Sequence, residues 1–272
     1  MDLAENVIVV TGAASGIGAA MAQRFADEAP ELLVLADVNT DGLAAVAASM
    51  PHGTQVWPVR LDVSGEAQVR TLVDDVFERA GRLDLYCSNA GVATGAGVDA
   101  DDSVWERTWS VNVMGSVYAA RALLAHTTPE RRSRLLVTAS AAGLLTNLGD
   151  APYSVTKHGA VALAEWLAIH HHDDGLDVSL LCPQGVRTPM VTDGLAAAAG
   201  PGAVAAGVVE SLGLIEPDAC AEAVAEGLAD DRFLILPHPE VADYAAARAR
   251  DPQRWIAGMR RLLARLSAAP NP

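Results

Sequence analysis

A tyrosine and a lysine four positions apart are the two side chains in this sequence best suited to joint chemistry. Lys157 is the only lysine among 19 lysine and arginine residues, and it follows Tyr153 by one turn of a predicted helix. Side chains at this spacing lie on the same helical face. Arginine is planar and effectively never loses its proton, whereas a lysine ammonium is compact and its pKa is readily tuned. Lysine at this one position therefore indicates a chemical requirement rather than a general need for positive charge.

Proton transfer is the chemistry open to this pair. A free tyrosine has a pKa of about 10, and a nearby cation favours its phenolate form. A decrease of about two to three units in the pKa of Tyr153 would let the phenol exchange protons near neutral pH. Taken alone, the pair is equally compatible with a surface tyrosine packed beside an exposed lysine. The choice between these interpretations depends on the rest of the chain.

A glycine-rich turn near the start of the chain predicts a nucleotide-binding site. The apolar run Val7–Thr11 leads directly into residues 12–18, Gly-Ala-Ala-Ser-Gly-Ile-Gly, and a helical pattern follows. In such a turn, backbone N–H groups can approach a pyrophosphate at the N-terminus of the helix. The spacing is Gly-x-x-x-Gly-x-Gly rather than the commoner Gly-x-Gly-x-x-Gly.

An acidic residue at the end of the second apolar run indicates which dinucleotide binds. Asp37 closes the run Leu33-Val34-Leu35-Ala36-Asp37. A carboxylate at this place can accept hydrogen bonds from the adenosine ribose, and its charge repels a 2′-phosphate. Neither Ser15 nor Val38 supplies a cation for such a phosphate. The sequence therefore predicts NAD rather than NADP, with a merely solvated strand end as the alternative for Asp37.

Composition excludes several classes of function. The 272 residues are 51% hydrophobic, with a formal net charge of −15 and a pI of about 4.7. Such an acidic surface repels nucleic acid and anionic membranes. No apolar run is long enough to cross a bilayer, no signal sequence is recognised, and three cysteines form no even disulfide framework. We expect a cytoplasmic protein without nucleic-acid or membrane partners.

Short apolar runs alternate with helical patterns along the chain. The predicted strands are Val7–Thr11, Leu32–Asp37, Gln55–Leu61, Leu83–Ser88, Arg134–Thr138, Val178–Leu181 and Phe233–Leu236. The predicted helices lie near residues 16–28, 40–49, 65–80, 102–125, 152–172 and 217–229. Near-continuous apolar runs are typical of strands covered on both faces, and the alternation predicts right-handed βαβ units. Residues 1–272 are therefore predicted to form a single α/β domain: a doubly wound parallel seven-stranded sheet with helices on both faces.

Two regions depart from this alternation. Residues 189–215 are rich in Ala and Gly and almost without charge, and we expect them to form a lid that closes over bound substrate. Residues 240–272 form a C-terminal helical extension that carries an apolar stripe. The stripe consists of Trp255, Met259, Leu262, Leu263 and Leu266. Such a stripe is more often core or subunit contact than a ligand site.

Together these features resemble the short-chain dehydrogenase/reductase family in its shorter, single-domain form, which implies a Rossmann-like fold. The resemblance extends from Thr11 to about Leu236. Its motifs are Thr11-Gly12-x-x-x-Gly16-x-Gly18, Leu61-Asp62-Val63, Asn89-Ala90-Gly91, Asn112, Ser140, Tyr153-x-x-x-Lys157 and Pro183-Gln184-Gly185-Val186-Arg187-Thr188. So many motifs in the family's order make the resemblance specific.

The resemblance implies a catalytic role for four residues. Tyr153 would be the general acid/base that exchanges a proton with the reacting oxygen, and Ser140 would hold that oxygen. Lys157 would bind the nicotinamide ribose and lower the pKa of Tyr153. Asn112 would hold a water that connects Lys157 to solvent. Taken singly, Ser140 and Asn112 are also compatible with a turn residue and a helix hydrogen-bonder.

The resemblance also implies the set of residues that bind NAD. The glycine-rich turn would contact the pyrophosphate, the pair 62–63 would border the adenine, and the segment 183–188 would meet the nicotinamide. The full set is Gly12, Ser15, Gly16, Ile17, Gly18, Asp37, Asp62, Val63, Asn89, Ala90, Gly91, Tyr153, Lys157, Pro183, Gly185, Val186 and Thr188.

The substrate pocket is predicted from residues that follow the strand ends. The candidate contacts are Ala142, Leu144, Leu145, Gln184 and Met190, most of them small or apolar. We therefore expect a largely apolar secondary alcohol or ketone. Gln184 stands where the family usually has glycine, and it either contacts a polar group of the substrate or only fills the loop.

The leading hypothesis is an NAD-dependent alcohol dehydrogenase or ketone reductase. The resemblance implies a homotetramer with the 102–125 and 152–172 helices across a twofold interface. One alternative is an epimerase or dehydratase, although those relatives usually carry a different glycine turn and a larger substrate domain. The other is a non-catalytic nucleotide-binding scaffold, which would not need the four catalytic residues. No metal is expected, because His170–His172 are interpreted as cations at a helix C-terminus.

Overall fold

Seven parallel strands form one sheet in the computed structural model, which describes residues 1–196, 202–204, 207–208 and 213–268. The strands are β1 (Val7–Thr11), β2 (Leu32–Asp37), β3 (Val56–Arg60), β4 (Leu85–Ser88), β5 (Ser133–Thr138), β6 (Leu176–Leu181) and β7 (Leu234–Ile235). Their order across the sheet is β3-β2-β1-β4-β5-β6-β7, and every neighbouring pair is parallel. The predicted fold class is confirmed.

Helices follow the strands in alternation. They are α1 (Gly16–Ala26), α2 (Thr40–Ala48), α3 (Glu66–Ala80), α4 (Asp102–Trp109), α5 (Gly115–Leu124), α6 (Ala142–Leu145), α7 (Ala151–His170), α8 (Pro189–Ala196), α9 (Pro217–Ala229), α10 (Glu240–Arg250) and α11 (Pro252–Ala268). The single helix expected over 102–125 is interrupted by a π-helical turn, Ser110–Met114, which joins α4 to α5.

The core lies on both faces of the sheet because alternate strand residues point in opposite directions. Val7 and Val9 of β1 belong to the cluster under α3, α5 and α7. Ile8 and Val10 belong to the cluster under α1, α2 and α9. Pro58 is accommodated in β3 because β3 lies at an edge of the sheet, where a missing N–H is tolerated.

The strand order creates a crevice at one place. From β1 the chain proceeds to β2 and β3 on one side, then returns to place β4 on the other side of β1. The loops after β1 and β4 therefore diverge, and ligands of such sheets bind at this switch point, outside the carboxyl ends of the strands.

Only part of the predicted lid can be located. Residues 189–196 form α8, whereas 197–201, 205–206 and 209–212 lie outside the described residues. Lid closure therefore stays a prediction. The C-terminal extension forms α10 and α11, and 269–272 lie outside the described part of the chain. Within the described ranges, no helix combines the length and the apolar character that crossing a membrane requires.

Candidate active site

A cleft of about 690 Å³ opens at the carboxyl edge of the sheet, at the switch point between β1 and β4. The segments that follow β1, β2, β4, β5 and β6 all contribute to its lining. Of the predicted cofactor and catalytic residues, it is lined by Gly12, Ser15, Gly16, Ile17, Asp37, Asp62, Val63, Asn89, Ala90, Gly91, Ser140, Tyr153, Lys157, Pro183, Val186 and Thr188. One cleft thus brings together motifs that are widely separated in sequence.

The glycine-rich turn needs glycine for its geometry. Gly12 has φ +67°, and a Cβ there would lie 2.9 Å from the Ala90 Cα, so the turn could not approach the loop after β4. Gly16 has φ +55°, a left-handed conformation that favours glycine. Among the described residues, the Ser15 side chain makes no capping hydrogen bond to α1. The first N–H groups of α1 therefore remain available to an anion in the cleft.

Gly18 does not belong to the described lining of the cleft, and its contact with the cofactor stays a prediction. A Cβ at Gly18 would lie only 2.1 Å from the Gly12 carbonyl oxygen. Glycine at this position therefore allows α1 to pack closely against the turn.

The loops after β1 and β4 are held together by Thr11. The Thr11 Oγ1 accepts hydrogen bonds from the N–H groups of Asn89 at 2.9 Å and Ala90 at 3.1 Å, and it donates to the Cys87 carbonyl at 3.0 Å. The Asn89 Nδ2 donates to the Thr11 carbonyl at 3.0 Å. Asn89 therefore stabilises the floor of the cleft as well as lining it.

Asp37 lies half-buried at the mouth of the cleft with its carboxylate already oriented. Its Oδ2 accepts from the Ala14 N–H at 3.1 Å, and its Oδ1 accepts from the Asn39 N–H at 2.9 Å. Each oxygen keeps a further lone pair for a ligand hydroxyl. The next residue, Val38, is exposed and apolar.

The other acidic residue of the cleft, Asp62, is held ionised by its own loop. Hydrogen bonds from the Ser64 side chain at 2.6 Å and backbone at 3.0 Å keep the pKa of Asp62 below its ordinary value, and Arg60 and Arg107 add smaller effects. Arg107 also lines the cleft, and the sequence analysis did not identify it.

Tyr153 lies in the first turn of α7, half-buried where the cleft narrows. Burial raises the pKa of its phenol above the ordinary value, while a hydrogen bond with the Ser140 side chain acts in the opposite direction. The Ser140 hydroxyl also accepts from the Ala142 N–H at 3.0 Å. Ser140 and Tyr153 therefore lie close together in the structure, and the role expected for each on a substrate oxygen stays a prediction.

Lys157 lies one turn further along α7 and is only 3% exposed. Its Nζ donates a hydrogen bond to the Thr138 carbonyl at 2.8 Å and lies 5.5 Å from the centre of the Tyr153 ring. Burial lowers the pKa of this amine to about 8. Because an ammonium has three donors, Lys157 can still donate to a ligand in the cleft.

Asn112 lies behind the catalytic groups, in the π-helical turn, a feature that often occurs at functional sites. Its Oδ1 accepts from the Val92 N–H at 2.8 Å, and its Nδ2 donates to the Val92 carbonyl at 2.9 Å and the Thr156 hydroxyl at 3.1 Å. The side chain therefore connects the loop after β4 to α7. The water relay expected for Asn112 stays a prediction.

Asp150 orients the start of α7, and sequence reasoning did not identify this role. This buried carboxylate caps the helix by accepting from the Tyr153 N–H at 2.9 Å. It also accepts from the Thr94 N–H and hydroxyl at 2.6 and 2.8 Å and from the Gly95 N–H at 2.7 Å. An aspartate two residues before Pro152 is a recognisable helix-start signal. The hydrogen bonds of Asp150 with residues 94 and 95 could not be recognised from the sequence.

His238, three residues after the end of β7, is the third residue that the sequence analysis missed. It is buried, and its Nδ1 accepts a hydrogen bond from the Gln184 N–H at 3.2 Å. This acceptor role requires a neutral ring, and burial lowers the pKa of His238 accordingly. The Gln184 loop, where the chain departs from the family pattern, is thus fastened to the next strand. The only signal for the contact between Gln184 and His238 is that these residues follow β6 and β7, which are neighbours in the sheet.

A second, apolar pocket of about 400 Å³ adjoins the cleft. Five residues line both cavities: Ser140, Tyr153, Gln184, Met190 and Val191. The hydroxyls of the two predicted catalytic residues, Ser140 and Tyr153, therefore lie where the two cavities meet. The predicted substrate contacts Ala142, Leu145, Gln184 and Met190 line this pocket.

The positions of three predicted features of the pocket region could not be expected from the sequence. Leu144 packs against the core and does not line the described pocket. Gly185 lines the apolar pocket instead of the cofactor cleft. Trp255, Met259 and Leu262 of the C-terminal stripe, interpreted as core or subunit contact, line the apolar pocket together with Tyr244.

The remaining polar candidates are engaged in local contacts. The Arg187 Nε donates to the Glu216 Oε1 at 2.7 Å. The Nδ1 atoms of His171 and His172 contact Asp174 and Asp177, at 2.8 and 3.1 Å. Over the described ranges, no group of three or more His, Cys, Asp or Glu side chains is arranged to hold a metal ion.

The arrangement can support proton transfer to a ligand oxygen at the junction of a dinucleotide-sized cleft and an apolar pocket.

A family model described as short chain dehydrogenase matches residues 6–198. The chain is 35% identical over 266 residues to 1-deoxy-11-beta-hydroxypentalenate dehydrogenase of Streptomyces avermitilis, covering 94% of this chain and 93% of that protein. It is 34% identical to meso-2,3-butanediol dehydrogenase of Serratia marcescens, over 70% of this chain and 75% of that protein.

Solved structures agree with these matches. A short-chain dehydrogenase/reductase from Burkholderia phymatum, solved in complex with NAD, aligns with a TM-score of 0.82 and 30% identity, covering 93% of this chain and 96% of that chain. The fold, the glycine-rich cleft and the catalytic side chains all agree with this assignment. The chain belongs to the short-chain dehydrogenase/reductase family.

Proposed function

We propose that the protein is an NAD-dependent oxidoreductase that interconverts a largely apolar secondary alcohol and its ketone. The observation that carries this proposal is the position of Ser140 and Tyr153, which line both the cleft and the apolar pocket. A substrate whose oxygen is bound between these hydroxyls would have its apolar part in the apolar pocket and its reacting carbon facing the cleft.

The cleft fits NAD at three points. Gly12 approaches Ala90 closely and has no side chain, so the backbone N–H groups of the turn are free to bind the pyrophosphate. The Asp37 carboxylate would accept hydrogen bonds from the adenosine ribose, and the Lys157 ammonium would donate to the second ribose. NAD supplies the hydride acceptor in the direction of alcohol oxidation.

Each side chain of the site has a role that its contacts support. Tyr153 takes the hydroxyl proton of the alcohol as its carbinol carbon is oxidised, and returns it in the reverse reaction. Ser140 holds the same oxygen and, through its hydrogen bond, lowers the pKa of Tyr153. Lys157 favours the phenolate by its positive charge. Asn112 fixes the loop after β4 against α7 and holds the water that relays protons from Lys157.

The names of the relatives support this proposal. Two of them are described as dehydrogenases of hydroxylated compounds, and the Burkholderia phymatum protein was solved with NAD. A screen of apolar secondary alcohols with NAD, followed by the absorbance of the reduced cofactor, tests the proposal. A non-catalytic scaffold would bind NAD without reducing it, and an epimerase or dehydratase would convert its substrate without net reduction of NAD.

Cofactor choice is predicted to depend on Asp37. NAD should be strongly preferred over NADP, because a 2′-phosphate would meet the Asp37 carboxylate. Asp37→Ala should reduce the ratio of kcat/KM for NAD to that for NADP by about tenfold or more, since it removes this like-charge repulsion. Asp41→Ala, which removes an exposed acid in the next helix, is the matched control and should leave the ratio unchanged. Equal kcat/KM with both cofactors in the unmutated protein would exclude this role.

The assembly that we propose is a homotetramer built through α4, α5 and α7. Val155, Trp166 and Ile169 are exposed and lie on one stripe of α7, and the exposed Trp109 of α4 packs near Gly159 on the same stripe. Exposed apolar surface of this kind is typical of an interface. A twofold axis through α7 would cover it.

A charge in this stripe is predicted to break the assembly. Ile169→Asp should shift the protein from tetramer to dimer or monomer in sedimentation velocity at micromolar concentration, because it places a carboxylate in an apolar contact. Val98→Asp is the control, since Val98 is equally apolar and exposed but lies outside both helices. A stable monomer of the unmutated protein would contradict the proposed assembly.

We also propose a cytoplasmic location, because Cys87, Cys182 and Cys220 are free and buried. Unpaired cysteines of this kind are typical of a reducing compartment.

A further inference from the structure

The outer wall of the apolar pocket is built by the C-terminal hairpin, which comprises α10, α11 and the turn between them, residues 240–268. Tyr244 of α10 and Trp255, Met259 and Leu262 of α11 line the pocket. The three residues of α11 have the i, i+4, i+7 spacing of a single helical face. The hairpin lies outside residues 6–198, the part that matches the family model.

Contacts hold this wall against the catalytic part of the chain. The Arg248 Nη1 donates to the Leu144 carbonyl at 2.8 Å, which ties α10 to the segment after Ser140. The rings of Tyr244 and Trp255 lie 6.5 Å apart and join α10 to α11. At the end of α11, a Cβ on Gly207 would meet Leu266 at 3.0 Å, so the hairpin also packs against the segment before α9.

The position of the wall determines the size of molecule that fits. Ser140 and Tyr153 line both cavities, whereas the hairpin residues Tyr244, Trp255, Met259 and Leu262 line only the apolar pocket. Its volume of about 400 Å³ falls within the range of about 300–1,000 Å³ that proteins use for drug-sized ligands. Tyr153 and Trp255 both line this pocket, so a bulky substrate held at Tyr153 has more surface to place against the indole than a small ring has.

The pocket also lacks charge. None of the described residues that line it is charged. The guanidinium groups of Arg248 and Arg187 are engaged elsewhere, with the Leu144 carbonyl and with Glu216. The arginines of α11 are exposed and do not belong to the described lining of the pocket: Arg254, Arg260, Arg261 and Arg265. The stretches outside the described residues contain no lysine or arginine in their sequence. An ionised carboxylate on the substrate would therefore lose its hydration without gaining a partner.

We propose, on the basis of the function inferred above, that the substrate is a bulky, uncharged, apolar alcohol, in contrast to the carboxylate for which the Streptomyces avermitilis relative is named. The C-terminal hairpin selects it, with Trp255 as the main determinant of size and the uncharged α11 face as the determinant that rejects carboxylates.

Three probes separate size from charge: cyclohexanol, 6-hydroxydecahydronaphthalene-2-carboxylate and the methyl ester of that acid. With NAD, the kcat/KM of the ester should exceed that of the carboxylate by roughly tenfold or more, because only the ester can be desolvated cheaply. Trp255→Ala should raise the KM of the ester by roughly tenfold or more and change the KM of cyclohexanol by less than about twofold. The kcat of both should change little, since the substitution leaves the catalytic groups in place.

Two variants guard against a general effect on folding. Ile256→Ala is the matched control, because Ile256 is adjacent, apolar and exposed away from the pocket, and both KM values should stay within about twofold. Met259→Arg places a cation on the pocket face, so it should raise the kcat/KM of the carboxylate by about tenfold and lower that of the ester. A gain of activity toward the carboxylate cannot result from misfolding.

Calorimetric titration of the ester into the protein saturated with NAD separates this inference from the proposed function. Binding that weakens in Trp255→Ala supports the hairpin's role even if no alcohol reduces NAD, an outcome that would defeat only the proposed oxidoreductase activity. The selection inferred here is overturned if the carboxylate and ester are used equally well, or if Trp255→Ala affects cyclohexanol as much as the ester.

Discussion

Tyr153→Phe should reduce kcat for alcohol oxidation by about a thousandfold or more while NAD still binds with near-normal affinity. Among the described tyrosines, Tyr153 is the only one that lines both cavities. The substitution removes its phenol hydroxyl and with it the hydrogen bond to Ser140. Positioned general acid/base groups contribute about 10²–10⁴ to a rate. Because the ring itself stays, the packing of α7 and the cleft should be unchanged. Single-turnover kinetics and a calorimetric titration of NAD measure the two effects separately.

Two further variants make this prediction specific. Tyr118→Phe removes a phenol on α5, outside the described lining of both cavities, and should leave kcat unchanged. Ser140→Ala removes a hydrogen bond that lowers the pKa of Tyr153, so the pH at which oxidation reaches half its maximal rate should move upward. Substantial turnover by Tyr153→Phe would exclude Tyr153 as the acid/base.

Lys157→Met should abolish most activity and yet make the folded protein more stable at neutral pH. The loss of activity should be roughly a hundredfold or more, because the variant loses both the charge that favours the Tyr153 phenolate and the ribose donors. The gain in stability follows from burial, which lowers the pKa of Lys157 to about 8 from 10.5.

The pH dependence of this gain follows from proton binding. Between about pH 8 and about pH 10.5, the unfolded chain keeps a proton on the amine that the folded protein has lost, so stability rises with pH across this window. Below about pH 8 the folded protein contains a buried ammonium. Lys157→Met removes that unfavourable charge, and the lost hydrogen bond to the Thr138 carbonyl offsets part of the gain. We expect about 1–3 kcal/mol of extra unfolding free energy at pH 7, declining toward pH 10.5.

Denaturant unfolding at several pH values, with activity measured on the same samples, checks both parts. Lys157→Arg is the matched control: it keeps the charge, so it should show no gain in stability, and its wider planar group should still lose most activity in a space bordered by Gly91, whose Cβ position lies 3.5 Å from the Lys157 Nζ. A Lys157→Met protein less stable than the unmutated one at pH 7 would show that the ammonium is better compensated than burial implies.

The catalytic centre was predictable from sequence because its parts are local. The positive φ of Gly12 and Gly16 belongs to one short turn, and the spacing of Tyr153 and Lys157 belongs to one helix. The near-continuous apolar runs likewise predict a parallel sheet that is covered on both faces. Parallel strands all end at the same edge, so the order of motifs along the chain places them in one cleft once the fold class is known.

The sequence could not predict contacts between segments that are distant along the chain, because the fold decides which of these segments come close together. The ties of Asp150 to Thr94 and of His238 to Gln184 join residues more than fifty positions apart. Leu144 and Leu145 are chemically alike and adjacent, yet one packs in the core and the other lines the pocket.

The C-terminal stripe shows the same division most clearly. Helical spacing of Trp255, Met259 and Leu262 determined that one face of α11 is apolar, but an apolar face is equally suited to a core, a partner or a ligand. The tertiary structure decided among these, because Arg248 fixes α10 to the segment after Ser140, and the apolar face of α11 lines the same pocket as Tyr153. Local patterns in the sequence were sufficient to predict the reaction centre, whereas the tertiary structure determined the walls of the apolar pocket through long-range packing.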